Sequence, residues 1–352
     1  MRAKLEDVCV RGSSNLKQSD VIDKTGEYPI YGAAGYIGNV DFYHQDQPYV
    51  AVVKDGAGIG RTSLYPAESS VIGTMQYLLP KENVLPEYLC YVVKYMHLEK
   101  YFTGATIPHI YFKDYKKEEF NLDTLDRQKE IVYILGRIEC VISSRQQELQ
   151  KLDELIKARF VEMFGDLANP ECSWDKSKLI DVCTDKDDIK CGPFGTQLNK
   201  DEYIESGIAV WEIPQINAAF LINPTHFLTE EKAEQLKAYT IIPGDIAMSR
   251  KGNVGKCALF PDNYPEGIIH SDVLRIRVDR KRINPLFMMC QLHFSGSVTR
   301  QIELVSSGAI MAGVNVTKLK QIYVHVPPIE LQNQFADFVH QVDKSKVIKL
   351  SN

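Results

Sequence analysis

Residues 126–165 read DRQKEIVYILGRIECVISSRQQELQKLDELIKARFVEMFG, a run of forty residues without a proline and with Gly136 as its one weak helix former. Apolar residues recur at spacings of three, four and seven, which predicts an amphipathic helix with a seam for a partner helix. The seam consists of Ile131, Leu135, Ile138, Ile142, Leu149, Leu152, Ile156 and Met163. At 1.5 Å per residue the helix is about 60 Å long, about twice the width of a small domain. We therefore expect the helix to divide the chain into one part before it and one part after it.

The two sides of this helix repeat one another. LEDVC at 5–9 returns as LIDVC at 179–183, LPEYL at 85–89 as NPLFM at 284–288, TGATI at 103–107 as SGAIM at 307–311, and TLDRQ at 124–128 as PIELQ at 328–332. The loop DGAGIGRTSLYP at 55–66 likewise corresponds to RKGNVGKCALFP at 250–261, with Gly60 and Arg61 matched by Gly255 and Lys256. Since the order is kept over units far longer than solenoid repeats, the pattern indicates a tandem duplication with diverged loops.

Each copy combines predicted strands with short buried helices. The strands are YPIYG, YVAVV and QYLLP in the first copy and YTIIP, DIAMS and DVLRIRV in the second. The segments starting PEYLCYVV and PLFMMCQL favour helices. We therefore expect a mixed α/β (α+β) fold.

A second amphipathic stretch follows the second copy, with apolar residues at Phe335, Phe338, Val339 and Val342. We expect it to pack antiparallel on the first helix, although a plain helical linker is the alternative. The resulting division is a first domain at 1–125, a spacer helix at 126–168, a second domain at 169–327 and a distal helix at 328–352. The distal helix is shorter than the first helix.

Composition narrows the class of protein. An apolar content of 44% and a charged content of 25% are those of a globular chain. The N-terminal residues lack a signal peptide pattern and no long apolar run follows, so we expect a cytoplasmic protein without membrane contact. The eight cysteines form no CxxC pair, which supports neither zinc nor a disulfide framework. A net charge of −5 means that any DNA contact depends on local basic patches or on partners.

Two copies, each followed by a helix, resemble the specificity subunits of type I restriction-modification systems over essentially the whole chain. The resemblance is carried by LDELIKARFVEMFGD at 152–166, CGPFGTQLNKDEY at 191–203, SRKGNVGK at 249–256, GATIPHIYFKDYK at 104–116 and VPPIELQNQF at 326–335. It implies that each copy is a target recognition domain for one half of a bipartite double-stranded DNA sequence.

The resemblance also implies partners. The helices would act as spacers and dock methyltransferase subunits, with Leu149, Leu152 and Ile156 as the docking residues, and restriction subunits would join through the complex. No catalysis and no cofactor is implied for this chain. S-adenosylmethionine, ATP and magnesium would belong to the partner subunits.

Candidate DNA contacts lie in three glycine-containing regions. Glycine allows the backbone a close approach, and the basic residues beside it can reach phosphates or guanine edges. The basic candidates are Lys54, Arg61, Arg250, Lys251 and Lys256. The second matched pair of loops contributes Thr106, His109, Asn315 and Lys318, and the GPFGTQLNK segment contributes Thr196, Gln197 and Lys200. Solvated hairpins, turns and helix caps are the alternative interpretations of all three regions.

Enzyme motifs are not supported. RKGNVGKC lacks the first glycine of a Walker loop and has Cys257 where a magnesium-binding hydroxyl is needed. NPLF at 284–287 lacks the second proline of an adenine methyltransferase motif. Two further alternatives remain open at this stage, namely an interaction protein that binds protein or RNA, and a truncated silent specificity cassette.

Overall fold

Residues Met1–Ser144 and Arg145–Asn352 pack as two separate units in a computed structural model of the chain. The structure describes residues 1–21, 23–104, 108–165, 169, 172–306 and 313–351. No helix in these described ranges is both long and apolar enough to cross a membrane.

The first unit begins with short strands and ends on a long helix. Its strands are β1 (Arg2–Lys4), β2 (Cys9–Ser13), β3 (Tyr28–Gly32), β4 (Gly35–Val40), β5 (Tyr49–Val53), β6 (Thr62–Tyr65), β7 (Ser70–Val71), β8 (Met75–Pro80) and β9 (Glu119–Asn121). Its helices are α1 (Leu5–Val8), α2 (Pro86–Tyr95), α3 (Phe112–Tyr115) and α4 (Leu125–Phe164), with 3₁₀ turns at Gln18–Asp20 and Leu98–Tyr101. Helix α4 continues into the second unit.

The second unit repeats this order with insertions. Its strands are β10 (Asp175–Lys178), β11 (Ile189–Cys191), β12 (Ile208–Trp211), β13 (His226–Leu228), β14 (Thr240–Ile241), β15 (Ile246–Ser249), β16 (Cys257–Leu259), β17 (Gly267–Ile269), β18 (Val273–Ile276) and β19 (Tyr323–Val326). Its helices are α5 (Ile213–Asn217), α6 (Glu230–Gln235), α7 (Pro285–Phe294), α8 (Gly296–Val305), α9 (Val316–Leu319) and α10 (Ile329–Ser351). Its 3₁₀ turns are Leu179–Val182, Gly195–Gln197, Lys200–Glu202 and Lys237–Tyr239.

The sheets show the same topology in both units. A four-stranded sheet has the order β2-β8-β5-β6 in the first unit and β11-β18-β15-β16 in the second, and every strand pair in both is antiparallel. A second sheet pairs β3 antiparallel with β4 and parallel with β7, as β12 pairs with β13 and β17. The second unit adds β14 at the edge. The mixed α/β class and the duplication are confirmed.

Each four-stranded sheet buries one face against a helix, which forms the main core of its unit. In the first unit Val50, Val52 and Leu78 lie under Leu89 and Val93 of α2. The alternate strand positions Tyr49, Ala51 and Tyr77 lie in a separate buried cluster. This alternation is what the two-residue period of a strand requires when both faces of a sheet are covered.

Helices α4 and α10 pack antiparallel in the second unit, as the sequence predicted. The rings of Phe160 and Phe335 lie 5.5 Å apart between centroids. Further along, the Lys346 ammonium lies 2.7 Å from the Asp153 carboxylate. From the first contact to the second, the residue number increases on α10 and decreases on α4, so the two helices are antiparallel.

The predicted seam of α4 needs a correction. Ile138 and Ile142 are 48% and 51% exposed, so within the described residues they are not covered as a helix seam would be. Phe160 and Phe164, which the seam omitted, are instead buried to 1% and 2% exposure. The apolar stripe that packs on α10 therefore runs through Leu152, Ile156, Phe160 and Phe164 at a constant spacing of four.

Candidate nucleic-acid interface

The glycine-basic loop of the first unit connects β5 to β6. The Val53 N–H donates to the Arg61 carbonyl oxygen at 2.9 Å, and the Gly60 N–H donates to the Val53 carbonyl oxygen at 2.9 Å. Gly60 has φ of +80°, and a Cβ there would lie 2.7 Å from the Glu99 backbone nitrogen. Only glycine meets both conditions without strain.

The loop of the second unit closes in the same way between β15 and β16. The Ser249 N–H donates to the Lys256 carbonyl oxygen at 2.8 Å, and the Gly255 N–H donates to the Ser249 carbonyl oxygen at 3.0 Å. Gly255 has φ of +82°. Arg61 and Lys256 therefore occupy equivalent positions at the end of equivalent loops.

The second predicted region lies against the first in both units. The Ile110 N–H donates to the Lys54 carbonyl oxygen at 2.9 Å, and the Val314 N–H donates to the Arg250 carbonyl oxygen at 3.1 Å. Two predicted contact regions that are distant in sequence thus form one surface in each unit.

In the first unit Asp55 organises the basic groups. Its carboxylate lies 2.5 Å from His109 Nδ1 and 3.9 Å from the Lys54 ammonium. Arg61 is exposed, and its guanidinium donates to the Ala57 carbonyl oxygen at 3.3 Å. The His109 ring also stacks on Tyr111, with centroids 6.3 Å apart. The surface offers cationic, imidazole and aromatic groups side by side.

In the second unit three basic residues are held by different partners. The Arg250 guanidinium lies over the Phe194 ring, 4.8 Å from its centroid. The Lys251 ammonium lies 2.8 Å from the Asp272 carboxylate. The Lys256 ammonium donates to the Asn217 carbonyl oxygen at 2.8 Å. The GPFG segment therefore contributes to this surface through Phe194.

Two of the predicted polar residues act as local caps. The Asn315 Oδ1 accepts from the Lys318 N–H at 3.0 Å at the start of α9. The Gln197 Oε1 accepts from the Phe194 N–H at 3.2 Å and from the Tyr239 hydroxyl at 3.1 Å. These oxygens already have donors, which supports the cap interpretation for them. Lys200 and Lys318 are exposed, while Thr106 and the side chain of Thr196 lie outside the described residues.

A neutral histidine supports the loop of the second unit from below. His293 Nε2 accepts from the Cys257 N–H at 2.9 Å, directly after Lys256. Burial and, to a lesser extent, the charge of Lys256 hold the pKa of His293 below its usual value. The acceptor role needs an unprotonated Nε2, so loop geometry and imidazole protonation are linked.

The predicted docking residues on α4 have different surroundings. Ile156 is 6% exposed and lies in the apolar cluster of the second unit, and Leu152 packs against the same cluster. Leu149 is half-buried. Ile156 is thus covered by the chain itself, which corrects its assignment as a contact for a partner, whereas Leu155 nearby is 46% exposed.

Three residues that contact the candidate basic residues and His109 were not predicted from the sequence. Asp55 and Asp272 orient the basic groups, and Phe194 stacks on Arg250. Asp55 was visible as the first residue of its loop, but no pattern links Asp272 or Phe194 to the residues they contact. In the described part of the chain no group of three His, Cys, Asp or Glu side chains is placed to hold a metal ion.

The chain is similar to known proteins over most of its length. The sequence model of a family described as "Type I restriction modification DNA specificity domain" matches residues 1–154 and again residues 172–351. A Methanocaldococcus jannaschii protein, named as the specificity subunit of type I restriction enzyme MjaX, is 26% identical over 177 residues. That alignment covers 48% of this chain and 39% of the relative, so it spans less than half of that protein.

Among solved structures, the crystal structure of the S subunit of a type I restriction-modification system from M. genitalium has the same fold. The TM-score is 0.62 at 15% sequence identity. The superposition covers 100% of this chain and 91% of that chain. At this identity the likeness concerns the fold.

Proposed function

The chain belongs to the family of type I restriction modification DNA specificity domains, and we propose that it is the DNA-recognition subunit of such a system. Each copy reads one part of a bipartite double-stranded DNA target. We assign recognition to residues 1–125 and 169–327. The helices at 126–168 and 328–352 set the spacing and dock methyltransferase subunits.

The observation that carries this proposal is the repeated basic surface. In both units a glycine with φ near +80° ends a loop that presents a basic residue, and a second loop packs against it. The side chains next to these shared loops differ between the two copies. Examples are His109 in the first copy and Phe194 in the second. A common backbone with different side chains is what two recognition modules for two different half-sites require.

The basic residues of this surface fall into an exposed group and a group that is paired with carboxylates. Arg61, Lys256 and Lys200 are exposed and suit phosphate or guanine contacts. Lys54 and Lys251 are paired with carboxylates, and these pairs fix the direction of the ammonium groups before DNA binds. The net charge of −5 is compatible with DNA binding because partner subunits can supply further phosphate contacts.

In this proposal the chain performs no chemistry itself. Methyltransferase and restriction subunits supply adenine methylation and cleavage, together with the sites for S-adenosylmethionine, ATP and magnesium. The chain works in the cytoplasm, where the DNA and these subunits are found.

The test is to co-express the chain with candidate methyltransferase subunits from its own genome and to map methylated adenines by single-molecule sequencing. A split motif with a fixed gap is the expected result. If the purified complex contains this chain but new methylation is absent, the DNA-recognition proposal fails, and the interaction-protein alternative is favoured.

A further inference from the structure

The two copies differ in how one pair of equivalent strands is connected. In the first unit residues 33–34 join β3 to β4 in a tight turn. In the second unit residues 212–225 join the equivalent strands β12 and β13, and this longer connection contains α5. Long connections within compact domains often carry a function. The extra residues of the second copy therefore need an explanation that the shared fold does not supply.

The tip of this connection, residues 218–222, presents apolar side chains to solvent. Leu221 is 84% exposed, the highest value for a large apolar side chain in the described part of the second unit. Ile222 beside it is 45% exposed. Ala219 before them and Asn223 after them are exposed as well. The tip is thus one prominent leucine with a smaller apolar contribution from its neighbour.

The backbone just before Leu221 is strained. Ala219 has φ of +48° and Phe220 has φ of +61°. Residues other than glycine rarely adopt this left-handed conformation, and here two of them do so in succession. Such strain persists only where the surrounding structure holds it, and it is concentrated at functional sites.

Buried neighbours hold this strained turn in place. The Phe220 ring is 1% exposed, and its centroid lies 5.3 Å from that of Trp211. The Phe220 N–H donates to the Gln215 carbonyl oxygen at 2.7 Å, and the Phe220 carbonyl oxygen accepts from the Tyr264 hydroxyl at 3.0 Å. Since Phe220 is fixed through both its ring and its backbone, the next residue, Leu221, is presented in a defined position.

The tip lies beside the candidate DNA surface of the second unit. The Lys256 ammonium donates to the carbonyl oxygen of Asn217, the last residue of α5, at 2.8 Å. Leu221 lies in the turn that follows, and its N–H donates to the Ala218 carbonyl oxygen at 2.9 Å. An exposed leucine is therefore a neighbour of a lysine that suits phosphate contact.

This combination fits DNA better than a protein partner. Stable protein interfaces bury about 20–30 residues on each side, whereas the tip offers two apolar side chains. Proteins that bend DNA insert single apolar side chains, leucine among them, between neighbouring base pairs. Cations beside the inserted side chain contact the phosphates. Leu221 next to Lys256 has this arrangement.

We propose that Leu221 is a wedge that inserts between two base pairs of the half-site read by the second copy and unstacks them. This assignment rests on the proposed function, because it requires residues 169–327 to bind DNA. Unstacking costs least at the flexible TA and CA/TG steps, so the wedge favours half-sites that contain such a step at this place. The wedge thus adds specificity through DNA deformability, without a hydrogen bond to a base edge.

The test uses the complete complex of the chain with its methyltransferase subunits, bound to a duplex that carries the methylated motif. The half-site of the second copy is the one that exchange of residues 1–125 leaves unchanged. Permanganate oxidises thymines that are no longer stacked, and every TA or CA/TG step contains a thymine. We expect a reactive thymine in this half-site, in addition to any thymine paired with a methylated adenine.

Variants of the tip show whether Leu221 causes the unstacking. Leu221→Ser should abolish the reactivity of this thymine, while Leu221→Met, which keeps a large apolar side chain, should retain it. Leu221→Ser should leave folding and assembly of the complex intact because the side chain is exposed. Leu64→Ser is the matched control, since Leu64 is a 38% exposed leucine of the first unit, and it should leave the thymine reactive.

The possible outcomes separate the wedge from the proposed function. If the wild-type complex methylates the duplex but no such thymine reacts, or if Leu221→Ser leaves it reactive, the wedge is overturned while the proposed function stands. If the wild-type complex neither binds nor methylates DNA, the proposed function fails and the wedge fails with it. If Leu221→Ser prevents assembly of the complex in the absence of DNA, the tip contacts a subunit, which also overturns the wedge.

Discussion

Gln128 and Gln332 hold the same position in the two units. Each is fully buried. The Gln128 Oε1 accepts from the Leu85 N–H at 2.8 Å and the Gln332 Oε1 accepts from the Asn284 N–H at 2.9 Å, at the starts of α2 and α7. Each Nε2 donates to two backbone carbonyl oxygens. One buried amide thus joins each spacer helix to the domain before it.

Replacing either glutamine with leucine should destabilise its own unit. The substitution leaves three backbone groups without a side-chain partner, and each unsatisfied buried group costs about 1–3 kcal/mol. Hydrogen exchange measured by mass spectrometry should show faster exchange in α2 for Gln128→Leu and in α7 for Gln332→Leu. Gln146→Leu on the exposed face of α4 is the control and should leave both helices protected. Equal effects of both buried variants on both units would contradict the equivalence.

Phe160→Ala should separate α4 from α10. The ring is 1% exposed and contacts Phe287 and Phe335. Removing a buried phenylalanine side chain costs about 3–5 kcal/mol. We expect a lower urea midpoint for the second unit, followed through the fluorescence of Trp174 and Trp211, which both lie in that unit. Val161→Ala, at a side chain 45% exposed, should change the midpoint little. A midpoint that Phe160→Ala does not lower would show that the helix pair is not held by this cluster.

Replacing glycine with alanine should lower the free energy of unfolding at Gly255 and raise it at Gly136. Gly255→Ala forces a positive φ on alanine and brings its Cβ within 3.0 Å of Ile302, so a loss of about 1–3 kcal/mol is expected. Gly136 lies in the interior of α4 with no heavy atom within 4 Å of a Cβ. Gly136→Ala should therefore stabilise the helix by up to about 1 kcal/mol. Thermal unfolding of the two variants measures both effects. An unchanged melting temperature for Gly255→Ala would contradict the loop geometry.

Acid should destabilise the second unit through His293. Its pKa is lowered in the folded chain, whereas an unfolded histidine titrates near 6.5. Below about pH 6.5 the unfolded chain binds a proton that the folded chain does not, so stability falls as pH falls.

His325 contributes in the same direction, since burial and then Lys176 lower its pKa. Urea unfolding at pH 7.5 and 5.5 measures the effect. His293→Gln should reduce the difference between the two pH values, while His340→Gln, at an exposed position, should keep it. A pH dependence that is the same in both variants would remove His293 from the explanation.

Much of the fold was predictable because strand and helix periods are local. Strands β3 and β5 coincide with the predicted YPIYG and YVAVV, and α2 and α7 begin at the predicted prolines. The paired loops were recognisable because glycine is needed where φ is positive, at Gly60 and Gly255. Where the backbone conformation requires glycine, the requirement can be recognised in the sequence.

Contacts between side chains that are far apart in the sequence could not be recognised in this way. The stripe on α4 was misjudged because several apolar positions compete on one helix, and only packing on α7 and α10 decides that Phe160 is covered and Ile138 is not. The cap made by Asn315 likewise depends on where α9 begins. Which residues contact DNA bases remains a prediction, since base contacts depend on loop geometry in the bound state.

If each copy reads its own half-site, exchange of one copy should alter one half of the methylated motif. Residues 1–125 are replaced by the corresponding segment of another specificity subunit, and methylated adenines are mapped after co-expression with the methyltransferase subunit. We expect a motif in which one half changes while the other half is retained. A motif changed in both halves, or in neither, would contradict it.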